Sequence, residues 1–346
     1  MKIQYLGAFL LLTTFCFGQN MCVGPEAFVP RKDNYSFSTI NFNVPAFDYR
    51  QKMDSVSFEG SLILPKDGFD KVVIIKPGTG YNTRNTHSPL AEALLDNHTA
   101  VFRYDERGKG NSKGEGGGDM TYTVTMMGEE LVSAFNMVKK HPDLQGKKIG
   151  IIGHSLGGIA VLEALEHEIN PDFLVLFAAP VVTGKQLFLY QLQHSENGFN
   201  DYFLYDTLEE KQKVCSELID FYLANQKEKS FWKVYKKEAK KLGYTKKRYA
   251  THFRFLLGGG LDRDLVSKDR IDWLKNTTIP VFYMIGAEDV LVDPVANTTR
   301  LNNLANPAIS ATVLEGENHF FSDGESTPYA IHEQPKQKIV EWIVKQ

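Results

Sequence analysis

A chain of 346 residues, 42% hydrophobic and 23% charged, has the make-up of a globular protein with room for a large core, as one big α/β domain or a domain carrying an inserted lobe. A formal charge of −3 gives no overall pull towards nucleic acid or an anionic membrane. With three cysteines and no CxxC, HExxH or EF-hand pattern, nothing implies a metal centre.

The chain opens on Met1-Lys2, followed by an apolar stretch from Tyr5 to Phe17 and then Gly18-Gln19-Asn20. Roughly a dozen apolar residues are too few to span a bilayer but suit the apolar centre of a secretory leader. Cys16 and Gly18 are small enough for the −3 and −1 positions, which places cleavage before Gln19. A lipid anchor on Cys16 would want a small residue ahead of it, and Phe15 is large. The expectation is a leader over residues 1–18 and an exported protein, periplasmic or extracellular, with no stable membrane insertion. A buried N-terminal strand or helix is the plainer alternative. Beyond the leader only Cys22 and Cys215 remain, enough for one disulfide at most.

Two weak strand patterns follow, Thr39–Val44 and Ser55–Leu64, read as an antiparallel edge. Stronger β-rich runs lie at Lys71–Lys76, Ala100–Tyr104, Lys148–Gly153, Phe173–Ala178, Pro280–Gly286 and Ala311–Leu314. Helical stretches such as Pro89–Asn97, Thr123–Lys140 and Gly158–Glu168 fall between them. This alternation predicts an α/β fold, a mostly parallel central sheet flanked by helices. From about Gly184 to Asp272 no strand pattern occurs, only helical material rich in aromatics and lysine. The chain therefore divides into a core over residues 19–183 and 273–346, with a helical cap inserted over 184–272.

The stretch KKIGIIGHSLGGIAV, Lys147 to Val161, ends a buried strand on Gly153, His154, Ser155, Leu156 and Gly157 and opens a helix. A serine hydroxyl is a weak nucleophile unless it projects clear of the backbone beside a base. A sharp strand-to-helix turn gives that projection and needs small residues two positions to either side, hence Gly153 and Gly157. The helix start also leaves free N–H groups for a developing oxyanion. The same G-x-S-x-G spacing recurs in GNSKG around Ser112, but without a strand before it or a helix after it. Ser155 is therefore the expected nucleophile and Ser112 a polar loop residue.

A base and an orienting acid complete such a site, and in parallel sheets they lie just beyond strand ends. VFYMIGAEDVLVDP presents Glu288, Asp289 and Asp293, and ATVLEGENHFF presents His319. His87, His98, His141, His167, His194, His252 and His332 have no comparable context, and His154 is expected to point elsewhere.

GHSLGG, RYDERGKGNSKG, GAEDVLVDP and GENHFF, in this order, resemble the α/β-hydrolase superfamily from about Ser55 to the C-terminus. They look most like its capped esterase and serine-aminopeptidase-like branch. The resemblance implies Ser155 as nucleophile, His319 as general base and Asp289 as its orienting acid. It leaves Asp293 to cap the following helix and Glu288 to the loop. The oxyanion hole is expected from the Leu156 N–H and a second N–H in Gly78-Thr79-Gly80, with Thr79 preferred to Gly80. That turn departs from the superfamily's frequent His-Gly, having Pro77-Gly78 instead. Asp105, Arg107 and Gly108 are expected to brace the turn beside the elbow. Gly114 to Gly118 form a glycine-rich loop that is no phosphate cradle.

Lys227 to Arg248 carry about ten basic residues against two glutamates. Phe231, Tyr235, Ala239 and Leu242 at helical spacing argue for a solvated helix face, with a rim for anionic substrates as the alternative. Phe199, Tyr202, Phe203 and Tyr205 line a pocket or form the cap's own core. Gly258 to Gly260 make a hinge or an exposed turn. The expected reaction is cleavage of a small-molecule carboxylic ester through an acyl-enzyme, without cofactor. Aminopeptidase or amidase action on the same fold would need an acidic patch in the cap for the substrate ammonium, whereas this cap is basic. A non-catalytic binding protein is the remaining alternative.

Overall fold

The computed structural model describes residues 31–48, 53–80, 82–114, 122–167, 169–203, 205–227, 231–241, 256, 260–323 and 330–346. The expected leader, Cys22, Glu115 to Gly118, Leu242 to Arg248, His252 and Gly258-Gly259 lie outside the described residues.

β1 (Tyr35–Asp48) and β2 (Met53–Pro65) form a long antiparallel pair. Both outrun the expected Thr39–Val44 and Ser55–Leu64, because the pairing from Tyr35↔Pro65 inward carries residues whose own patterning is weak. The remaining strands are β3 (Lys71–Lys76), β4 (Thr99–Tyr104), β5 (Lys148–His154), β6 (Phe173–Phe177), β7 (Val281–Gly286) and β8 (Ile309–Leu314). They begin and end within two residues of the runs read from sequence. The sheet order is β1-β2-β4-β3-β5-β6-β7-β8, antiparallel as far as β4 and parallel from there on.

Alternation along the parallel strands builds a core on each face. Val72, Ile74 and Ile151 pack with Leu131 and Phe135 of α2 (Val124–Lys140) and Val161 and Leu162 of α3 (Leu156–Leu165). Val73, Ile75 and Ile152 face the other way, against Leu90 and Leu94 of α1 (Ser88–Asp96) and Ile339 and Ile343 of the C-terminal α10 (Glu333–Val344).

Between β6 and β7 the described chain is helical, with α4 (Gly184–Gln191), α5 (Leu208–Asn225), α6 (Phe231–Lys241), α7 (Gly260–Ser267) and α8 (Asp272–Asn276). Thr183 and Thr207 start α4 and α5 through capping boxes closed by Gln186 and Glu210. A third apolar cluster holds this lobe together, with Phe203, Cys215, Leu218, Ile219 and Tyr235 buried at its centre. It extends to Leu156 and Ile159 of α3, so the lobe sits over the helix that Ser155 precedes. Buried Glu163 of α3 accepts hydrogen bonds from Arg270 Nε (2.5 Å) and Lys268 Nζ (2.9 Å), and Arg270 also pairs with Asp264 of α7 at 2.7 Å. On α6, Phe231 and Tyr235 are buried while Lys233, Lys236, Lys237, Lys240 and Lys241 are exposed, a solvated basic face over the described part of this run. No described helix is long and apolar enough to cross a membrane.

Candidate active site

The strand order reverses between β3 and β5, with β4 to one side and β6 to β8 to the other. Crevices outside the carboxyl ends of strands at such a switch point are where open α/β sheets bind ligands. Ser155 stands there, at the end of β5, with φ 52° and ψ −127°, a left-handed backbone that a serine adopts only when its surroundings enforce it. Tight packing supplies the enforcement. A Cβ on Gly157 would lie 2.3 Å from the Pro77 carbonyl oxygen, and one on Gly153 would lie 2.7 Å from the Cα of Gly158. Both glycines are therefore required by close backbone approach, as their spacing predicts.

The loops after β7 and β8 bring two further groups to this point. His319 Nε2 lies 2.9 Å from Ser155 Oγ, and His319 Nδ1 lies 2.8 Å from Asp289 Oδ2. Asp289 is 1% exposed, and its other oxygen accepts the backbone N–H groups of Leu291 and Val292, each at 2.8 Å. A carboxylate held on both oxygens only accepts, so Nδ1 carries the imidazole proton and Nε2 is left to accept from the serine hydroxyl. Tyr190 of α4 donates to the Asp289 carbonyl at 2.6 Å, tying the lobe to this loop. Burial and the neighbouring carboxylates of Asp293 and Asp289 push the Tyr190 phenol up to about 12, so it stays a donor.

The other acids stand apart. Asp293 caps α9 (Pro294–Asn303), accepting from Val295 N at 2.9 Å and Ala296 N at 3.0 Å, and Glu288 is exposed. Ser112 is the polar loop residue expected from sequence, outside any helix or strand. It is buried, donates to the Asp105 carbonyl at 2.7 Å and accepts from Glu59 N at 3.0 Å. Asp105 binds Arg84 of the segment after β3, and Arg107 pairs with buried Glu130 of α2 at 2.6 Å.

His154 had no expected role. It is stacked on Phe177, and its Nε2 lies 3.2 Å from the carbonyl oxygen of His319. Burial, with the nearby His87 and His319, holds its pKa well below the ordinary value. The neutral ring therefore donates through Nε2 and supports the His319 backbone. No motif signals this, because the contact joins residues far apart in sequence.

A cavity of about 340 Å³ opens over Ser155 and His319. Gly78, Thr79 and Leu156 line its floor, and Leu187, Phe188, Phe199, Tyr202 and Leu265 bring apolar lobe surface to its walls. The four lobe aromatics divide. Phe199 and Tyr202 line the cavity, Phe203 is fully buried in the lobe's core and Tyr205 packs against that core. Among the described residues no group of three or more His, Cys, Asp or Glu is placed to hold a metal ion.

Residues 68–322 match the family model described as serine aminopeptidase, S33. The chain belongs to that family. It is an α/β hydrolase, and the S33 match covers everything from before β3 to just past His319. The uncharacterized protein YfhR of Escherichia coli (strain K12) is 29% identical over 101 residues, 29% of this chain and 33% of that protein. The chain thus spans about a third of the length of this curated relative. Among solved structures, the esterase Pf2001 of Pyrococcus furiosus superposes with a TM-score of 0.54 at 17% identity, over 93% of this chain and 96% of that one. A thermophilic esterase of Thermogutta terrifontis, solved with malate, gives 0.53 at 16% identity, over 89% and 98%. At such identities the likeness shows the fold alone.

In this S33 family member one acidic lobe residue reaches the cavity. Asp262, at the start of α7, lines the cavity, and burial, partly offset by Arg263, pushes its carboxyl up to about 6. The sequence-level expectation of a basic lobe describes α6; the cavity-lining part of the lobe carries an acid.

Proposed function

We propose that this protein is a serine hydrolase that cleaves small carboxylic esters through an acyl-enzyme on Ser155, and that it acts outside the cytoplasm after loss of residues 1–18. One observation carries the reading: an unbroken hydrogen-bonded series from Asp289 through His319 to Ser155 on the floor of a largely apolar cavity. In this scheme Ser155 Oγ attacks the ester carbonyl while His319 Nε2 takes its proton. Asp289 keeps the imidazole in the accepting tautomer and stabilises the imidazolium that forms. The tetrahedral oxyanion is met by the Leu156 N–H at the head of α3 and a second N–H from the turn after β3. Each such donor lowers the barrier by about 3 kcal/mol. Collapse passes the proton from His319 to the leaving alcohol, and water repeats the sequence to free the acid.

Asp262 favours a second reading, in which the acyl group carries a protonated amine that this half-buried carboxylate pairs with. The two readings share the chemistry at Ser155 and differ in what fills the cavity.

The test is labelling by a fluorophosphonate probe with turnover of a panel of p-nitrophenyl esters, from acetyl to long acyl, that includes aminoacyl esters of matched size. Wild type should be labelled, and Ser155→Ala should abolish labelling and reduce turnover at least about a thousandfold, leaving only residual activity. Labelling that survives Ser155→Ala would overturn the assignment. A preference of tenfold or more for the aminoacyl ester would decide for the second reading.

A further inference from the structure

The turn after β3 is held from behind by a buried polar relay that no motif announces. Asn82, fully buried, donates through Nδ2 to the Gly78 carbonyl oxygen at 2.6 Å and to Glu106 Oε2 at 3.0 Å. The other Glu106 oxygen pairs with Lys76 Nζ at the end of β3, where the lysine is also fully buried. Gly78 lies against the nucleophile: a Cβ there would be 2.7 Å from Ser155 Cβ and 3.3 Å from Ser155 Oγ.

The two ends of a trans peptide unit project to opposite sides, so fixing its C=O fixes its N–H. Asn82 draws the Gly78 oxygen towards the interior, while Gly78 and Thr79 line the cavity over Ser155. The N–H of the same peptide unit belongs to Thr79 and is thereby turned towards the cavity. We infer that Asn82, held by Glu106 and Lys76, is a positioning residue that aims the Thr79 N–H at the oxyanion. This inference rests on the acyl-transfer reading above, and it names the second donor between Thr79 and Gly80. The choice of side chain follows from the acceptors. A carboxamide nitrogen offers one hydrogen to a carbonyl and one to a carboxylate, whereas an aspartate would set a second anion against both. A buried Lys–Glu pair is also costly to desolvate and adds little to stability by itself, which suits a part retained for geometry.

Asn82→Leu and Asn82→Asp are compared with wild type for kcat and KM on a p-nitrophenyl ester. The same proteins are titrated with a trifluoromethyl ketone, which binds as an oxyanion adduct, and with the matching methyl ketone. Urea unfolding reports whether each variant is folded, and either variant suffices if the other is not. The expected result is a kcat lowered about tenfold to a hundredfold with KM within about threefold. Trifluoromethyl ketone affinity should fall by the same factor as kcat, and methyl ketone affinity should be unchanged. A folded variant with wild-type kcat would overturn the inference. So would equal weakening of both ketones, which is what a merely structural role gives. Failure of the underlying reading looks different: wild type itself would show neither fluorophosphonate labelling nor ester turnover, and the inference would fall with it.

Discussion

At the scale of single residues, chemistry and cost sit close together. Ser155 holds a positive φ because glycines at 153 and 157 let the backbones of the elbow, α3 and the β3 turn meet, and that need is written into residue types. His319 and Asp289 were legible for a similar reason: each follows a strand end in a recognisable block. Asn82, Asp262 and the role of His154 were not legible, since an asparagine and an aspartate outside a motif look like any others, and the elbow motif assigns its histidine no contact, until the fold brings their partners near. Asp262 leads to a prediction. Its carboxyl is raised from an ordinary 3.8 to about 6 mainly by burial, so the folded state holds its proton more tightly than the unfolded state. The associated stability is fully present below the ordinary value and is lost as pH rises through about 6. Asp262→Asn should therefore gain on wild type by roughly 2 kcal/mol between pH 4 and pH 8, after allowance for partial exposure. Urea unfolding at the two pH values checks this, and an unchanged difference would mean the carboxyl is not penalised.

At the scale of elements, strands with strong β-rich patterning end where the sequence indicates, and the β1–β2 pair does not. β3 runs from Lys71 to Lys76 as expected, because six consecutive buried positions leave no alternative to a central strand. α3 starts at Leu156 rather than Gly158, since the elbow passes straight from Ser155 into the helix. The joint between lobe and core is an element-scale feature as well. Burial raises the Glu163 carboxyl, but hydrogen bonds from Lys268 and Arg270 outweigh it and hold the group below its usual range. A lowered carboxyl stabilises the fold above its unfolded pKa, and the gain is lost as pH falls through the folded value. Glu163→Gln should cost about 2 kcal/mol at pH 7, because buried Arg270 loses one of its two anionic partners and keeps only Asp264. The gap to wild type should narrow below pH 4. Urea midpoints across that range are the measurement, and a gap independent of pH would point to packing instead.

At the scale of the whole molecule, three apolar clusters divide the work. Two cover the faces of the sheet, and one fills the lobe and reaches the core through Tyr122, Val124 and Met127 as well as Leu156, Ile159 and Ala160. The lobe is thereby joined to α2 and α3 by a shared apolar cluster, by the Thr125–Asp264 hydrogen bond and by the Glu163 ion pairs, while α4 and α5 lie on its far side as the part expected to open first. Leu218→Ala, at a fully buried position of α5, should destabilise by about 2–5 kcal/mol. Native-state hydrogen exchange should place most of that loss in α4 and α5, with β5 amides little changed. Equal loss in β5 would show that lobe and core open together.

Read by itself, the sequence determined the parallel sheet, the strand-end positions of Ser155, Asp289 and His319, and the helical character of the segment between β6 and β7. Those features are local, coming from periodicity, glycine placement and residues beside strand ends. Only the tertiary structure decided that His319 bridges Ser155 and Asp289, that an acid rather than the α6 lysines lines the cavity, and that Asn82 grips the turn beneath the nucleophile. Each of these is a contact between segments distant along the chain, whose meeting depends on how the sheet is ordered and where the lobe packs.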